Sequence, residues 1–213
     1  AAPARGVARP ILGWSLFFYV ATFLTVLMPL YVKNDLHADG LTATLMMGAV
    51  GIGAGLGGVA AALLSRKKSG LGYSTLGVAA AAGVTFLGFL LTPLAASGAA
   101  QSAGEFVGKP AGVAILLCFL LAAVFMGLFV APLQAAVQRR APANECARIV
   151  AAGNMTNAAA AFLGSMSVLV VTETGLDPRL GLLAMALLQG AVAFYMLRRQ
   201  RAIPVGLFDE MLA

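Results

Sequence analysis

The chain has 213 residues, 61% of them hydrophobic and only 10% charged, with a mean hydropathy of +0.93. Soluble domains carry about 25% charged residues, so the composition excludes a soluble enzyme and indicates a polytopic membrane protein. Lys and Arg outnumber Asp and Glu by 14 to 8, but they sit in short runs between apolar segments. That spacing encodes membrane topology and excludes a nucleic-acid surface.

The opening residues AAPARGVARP contain neither an initiator Met nor a signal peptide with a cleavage site, so the chain is expected to begin inside a longer protein. Six stretches reach the length of about 20 apolar residues that a spanning helix needs: 11–32, 41–64, 71–96, 111–137, 149–171 and 180–197. None contains Asp, Glu, Lys, Arg or His. The predicted fold class is therefore all-α, with six transmembrane helices in one unit covering 1–213.

The first span has Trp14 near one mouth and Tyr31 near the other, the positions of an aromatic belt, and Pro29 in its last turns. The second carries Gly48, Gly51, Gly53, Gly55, Gly57 and Gly58. Gly51/Gly55 and Gly53/Gly57 are small residues four apart, a spacing that lets helix backbones approach closely. Gly53, Gly55 and Gly58 also match a dinucleotide fingerprint, but no strand precedes them and no acid follows at the required distance. The third span is rich in Ala, Gly and Leu and suits the bundle periphery. Residues 97–110 read as a Gly/Ser/Ala-rich loop dividing the chain into two three-helix units, as in transporter repeats, without a residue-by-residue repeat.

The fourth and fifth spans form the most informative stretch, FMGLFVAPLQAAVQRRAPANECARIVAAGNMTNAAAAF, from Phe125 to Phe162. Pro142 disfavours helix at Ala141 and ends the fourth span. Asn144 is placed to N-cap the fifth, with Glu145 at the positive end of its dipole. Gln134 and Gln138 are four apart and Asn154 and Asn157 three apart, so each pair shares a helix face. Carboxamides facing lipid are costly, so both faces are expected to turn inward. There they either join helices, at about 1 kcal/mol or less per bond, or line a wet cavity together with Thr156, Ser165 and Ser167. Arg139, Arg140 and Arg148 mark topology and pair with Glu145, or form a mouth that attracts phosphate and anionic lipid. The glycosylation sequon at Asn154 lies at membrane depth and is read as chance. The sixth span has Gln189 as its one strongly polar residue, and Arg198, Arg199 and Arg201 close it. The tail ending FDEMLA is too short for a domain.

The spans fix an orientation. Arg5, Arg9, Arg66, Lys67, Lys68, Arg139, Arg140, Arg148, Arg198, Arg199 and Arg201 fall on one side, against Lys33, Lys109 and Arg179 on the other. The positive-inside rule puts the first side, with both termini, in the cytoplasm. Asp35, Asp39, Glu105, Glu173 and Asp177 lie opposite. Cys118 and Cys146 give no disulfide framework, and His37 alone gives no metal site; no cofactor is expected. With no acid or base inside a span, a proton- or sodium-coupling site is expected elsewhere, in a missing half of the transporter.

Three stretches carry a resemblance. They are Ile11-Leu12-Gly13-Trp14 with Met28-Pro29-Leu30-Tyr31-Val32-Lys33; Val50-Gly51-Ile52-Gly53-Ala54-Gly55 with Ser69-Gly70-Leu71-Gly72; and Ala131-Pro132-Leu133-Gln134 through Arg139-Arg140-Ala141-Pro142, Glu145, Ala147-Arg148 and Ala151-Ala152-Gly153-Asn154. Together they resemble the seventh, eighth and tenth-to-eleventh helices of the lysophospholipid transporter branch of the major facilitator superfamily. Two departures stand out: Gly153 replaces a second Asn, and Arg66-Lys67-Lys68 lacks the gating motif's acid. The resemblance implies the C-terminal six-helix half of a transporter whose N-terminal half is its partner, sometimes fused to a phospholipid acyltransferase. It implies movement of lysophospholipids between leaflets of a bacterial inner membrane, with the first, second, fourth and fifth spans lining the cavity and the third and sixth facing outward. Gln134, Gln138, Asn154 and Asn157 would meet the headgroup, and the Gly-rich second span would open room for the tail. The alternatives are an exporter of amphipathic small molecules on the same scaffold, or a membrane anchor for the acyltransferase.

Overall fold

The computed structural model describes residues 4–65, 71–96, 98–142 and 144–201. The basic loop Arg66-Lys67-Lys68, the Ser69-Gly70 pair and the tail from 202 onward lie outside the described residues, as do the side chains of Arg5, Leu71, Gly72 and Arg201. The chain folds as α1 (Ala4–Asn34), α2 (Gly40–Ser65), α3 (Leu71–Ala95), α4 (Ala103–Gly108), α5 (Pro110–Arg140), α6 (Cys146–Glu173) and α7 (Pro178–Arg201). Among the described residues, six helices are long and apolar enough to cross a membrane. Successive spans run in opposite directions, so one end of the bundle gathers Arg139, Arg140 and Arg148 and the other gathers Asp35, Asp39, Glu105 and Asp177. We call these the basic and acidic ends.

Two expectations need correction. Residues 97–110 are not all loop: Ser102 caps the short α4 in a capping box, its Oγ accepting from Glu105 N while the Glu105 carboxylate accepts from Ser102 N at 2.7 Å. Pro142 does end α5 at Arg140, with Ala141 extended, but Asn144 lies in the turn and the N-cap of α6 is Glu145, which makes no side-chain capping bond. The Glu145 N–H is used instead to close the turn on Pro142 O at 2.9 Å.

Helices in lipid gain nothing from hiding apolar surface from one another, so close packing and interhelical hydrogen bonds must hold the bundle together. α5 is the centre of that packing, with α3 and α2 lying along it. α3 packs on both α5 and α7 and buries Ser74, Thr75, Thr85 and Thr92, while Leu76, Leu87, Leu90 and Leu94 stay exposed along its other face. Gly53 and Gly57 place α2 directly on the α5 backbone at Leu120 O and Val124 O, and Gly127 of α5 answers from the other side against Ala54 O. Gly77 does the same for α3 at Phe125 O. On the other flank α1 packs on α6, where Gly164 meets Tyr19 O. The buried interior joins Phe23, Leu27 and Tyr31 of α1 to Phe119, Phe129 and Leu133 of α5 and Leu182 of α7.

The acidic end is tightly knit. Asp39 accepts from Thr42 N at 2.9 Å, Thr42 Oγ1 at 2.8 Å and Ala103 N, so it caps α2 and holds α4 at once. Gln101 donates to Leu36 O and Ala95 O and accepts from Lys109 Nζ at 2.7 Å.

Candidate functional site

Some of the neutral polar residues of the spans meet at the α1–α6 seam, while Tyr31 meets Thr92 and Thr85 meets Gln189 elsewhere in the interior. Ser15, buried on α1, sits 2.9 Å from both Ile11 O and the Asn157 carboxamide. A hydroxyl has one proton. If it goes to Ile11 O, the Asn157 amide satisfies the second contact by turning its nitrogen towards Ser15 Oγ, since carboxamide orientation is an assignment from the network. In either orientation one heavy atom of the carboxamide stays buried without a partner among the described residues; as placed it is Nδ2. Further along, Tyr19 OH meets Ser167 Oγ at 2.9 Å. Trp14 packs on the open face of Gly153, where its ring lies 3.1 Å from the position a Cβ would take, and its indole N–H is buried without a partner among the described residues. A side chain at 153 would press on that ring, which would have to give by a few tenths of an ångström.

The four carboxamides expected to line one surface separate here. Asn157 is only 4% exposed and belongs to the α1–α6 seam. Gln134 is half-buried on α5, a residue after Leu133, whose side chain fills the space above Gly13 of α1. Gln138 and Asn154 are exposed on this chain, so within it each pair is divided between a more covered and an open position. Three residues on a helix turn through 300°, leaving Asn154 and Asn157 about 60° apart, enough to put one in the seam and the other outside it.

At the basic mouth, Arg148 and Glu145 form an exposed ion pair at 3.8 Å, one turn apart. Arg139 is exposed and Arg140 half-buried at the end of α5. The glycine stripes also part: Gly53 and Gly57 are enclosed by α5, whereas Gly51 and Gly55 meet nothing within 4 Å and leave a bare strip on the outer face of α2.

A further polar cluster, unforeseen from the sequence, lies at the acidic end. The end of α1 and the α6–α7 turn border a cavity of about 330 Å³ lined by Asn34, Asp35, Thr172 and Asp177 among others. The Asp35 and Asp177 carboxyls face one another there. Asp35 Oδ2 is buried and meets no N–H or O–H among the described residues. Burial and the facing Asp177 carboxyl push Asp35 up to about 8. The contact with Asp35, aided by the backbone N–H and positive charge of Arg179, holds Asp177 below the usual carboxylate range. Arg179 N donates to Asp177 Oδ1 at 2.9 Å, and its guanidinium lies over the Phe89 ring at 4.4 Å. In sequence, these aspartates are 142 positions apart, and only their shared side of the membrane hinted at their meeting.

No curated protein and no solved structure matches the chain significantly. The sequence model of the Major Facilitator Superfamily matches residues 4–165, from the start of α1 to well inside α6. With six membrane-crossing helices, the all-helical fold is that of half a superfamily bundle. The chain belongs to the Major Facilitator Superfamily of membrane transporters.

Proposed function

We propose that the chain is the C-terminal half of a transporter that moves lysophospholipids across a bacterial inner membrane, with the basic end cytoplasmic. The observation that carries the reading is a seam with neutral hydrogen-bonding groups, Ser15 against Asn157 and Tyr19 against Ser167, in helices whose charged residues lie only towards their ends. A lysolipid headgroup already brings a phosphate and, in the zwitterionic forms, its own cation, so it needs neutral donors and acceptors more than a buried counter-charge. Ser15, Gln134 and Asn157, with Asn154 and Gln138 on the exposed flank, supply them. Arg139, Arg140 and Arg148 at the mouth favour the phosphate as it leaves. The single acyl tail lies against the bare strip of Gly51 and Gly55, where the absence of side chains leaves room. The N-terminal half supplies the facing wall, and an acyltransferase acting on the delivered lysolipid is the partner enzyme by chemistry.

Fold does not fix cargo, so competition decides between this reading and export of amphipathic small molecules. In proteoliposomes of the full transporter, unlabelled lysolipid is expected to suppress labelled lysolipid uptake. An amphipathic cation lacking the phosphoglycerol headgroup is expected to leave it unchanged. Equal competition by both would overturn the lysolipid reading.

A further inference from the structure

We propose that Asp35 and Asp177 form a proton-operated clamp that fastens the acidic end of α1 to the α6–α7 turn. The geometry argues for a shared proton. The two carboxyl groups line one cavity, and one oxygen of half-buried Asp35 is covered with no hydrogen-bond partner among the described residues. A contact between the two is attractive only while one proton lies between them, and repulsive once both are ionised. The groups facing Asp35 are Asp177 and Arg179, from the turn and α7, and Tyr31 from its own helix. Among the described residues Arg179 forms no salt bridge that would replace the proton; its guanidinium is held over Phe89 and its Nε is buried without a partner. The adjoining cavity of about 330 Å³ gives water room to hydrate the second charge when it forms, on the order of ten molecules at about 30 Å³ each. Protonated, the clamp is closed; ionised, it is loosened, with the second charge hydrated from the cavity.

The sign follows from the direction of the shift. The Asp35 carboxyl binds its proton more tightly in the closed clamp than when free in water, up to about 8. The closed form is therefore favoured fully below the ordinary carboxylate range. It loses that advantage as pH climbs to about 8. Asp177, shifted downward, stays ionised through this window, so the pair holds one proton and not two. This places a titrating site at the membrane edge, on the face opposite the basic mouth, in a chain whose spans contain no ionisable acid or base.

The test uses the full transporter in lipid nanodiscs without substrate, so its result is independent of the lysolipid reading. Spin labels go on Lys33→Cys and Thr174→Cys, both exposed positions flanking the clamp, with Cys118 and Cys146 replaced. The distance is expected to lengthen between about pH 5 and about pH 9 in the parent. It is expected to stay short at every pH in Asp35→Asn, whose carboxamide donates to Asp177 without a titrating proton. Asp177→Asn, read separately, is also expected to lose the pH response, which guards against one variant misfolding. In infrared spectra of the parent, the protonated-carboxyl band is expected to disappear with a midpoint near 8 and to be missing in Asp35→Asn. An unchanging parent distance, a pH response that survives in Asp35→Asn, or no protonated-carboxyl band at pH 6 would each overturn the clamp.

Discussion

The α2–α5 contact makes the sharpest stability prediction. A Cβ on Gly57 would overlap Val124 O and sit 2.9 Å from both Gly127 Cα and Val124 C. All three opposing atoms are backbone, so no rotamer change can relieve the overlap; the helices must part. Overpacking of this kind costs about 1–3 kcal/mol, and alanine's better helix propensity recovers up to about 1 kcal/mol. Gly57→Ala should therefore destabilise the protein by up to about 2 kcal/mol, a fall in Tm of up to about 8 °C for a domain of this size. Gly83→Ala on α3 is the control, because a Cβ there meets nothing within 4 Å; it should leave Tm unchanged or raise it slightly. Gly57→Ala/Gly127→Ala should cost less than the two single changes added together, since one separation of the helices accommodates both methyls. The assay is a thermal melt of the full transporter in detergent, followed by far-ultraviolet circular dichroism. Equal melting of Gly57→Ala and Gly83→Ala would refute the packing argument.

The other predictions concern polar groups. Ser15→Ala should cost about 1 kcal/mol or less, and a double-mutant cycle with Asn157→Ala should show the two losses to be non-additive. Asp39→Ala should flatten the fall in Tm between pH 6 and pH 3: hydrogen bonds from Thr42 and Ala103 hold Asp39 below its usual range, so its contribution is present above the ordinary carboxylate pKa and lost as pH falls through the lowered one. Breaking the exposed Arg148–Glu145 pair with Arg148→Ala should change stability by under about 0.5 kcal/mol. In intact vesicles, a membrane-impermeant maleimide should modify half-buried Cys146 only from the side bearing the basic end, and buried Cys118 from neither.

The spans were legible in sequence because an uninterrupted apolar run of about 20 residues has few other readings in a chain this poor in charge. Helix α4 was missed although its signal was present: Ser102 and Glu105 have the spacing of a capping box, masked by the Gly and Ser around them. Periodicity offered two glycine stripes on α2 and had no means of choosing between them. The choice is made by α5, whose Gly127 admits Gly57 and leaves Gly51 and Gly55 bare. The carboxamides differ in burial for a similar reason. A spacing of three or four places residues near one another on a helix, but which of them is buried depends on what the neighbouring helix presents, and Ser15 faces Asn157. The Asp35–Asp177 contact was out of reach, since charge counting assigns a side of the membrane and not a partner.

The central claim is that the neutral seam between α1 and α6, together with Gln134, handles a lysolipid headgroup. Leaflet-resolved uptake of labelled lysophospholipid by the full transporter in proteoliposomes tests it most directly. Wild type should move the label inward, while Asn157→Ala and Gln134→Ala, compared at equal amounts of folded protein in the membrane, should each slow it at least several-fold. Uptake at the wild-type rate in both variants would contradict the account and return these side chains to helix packing alone.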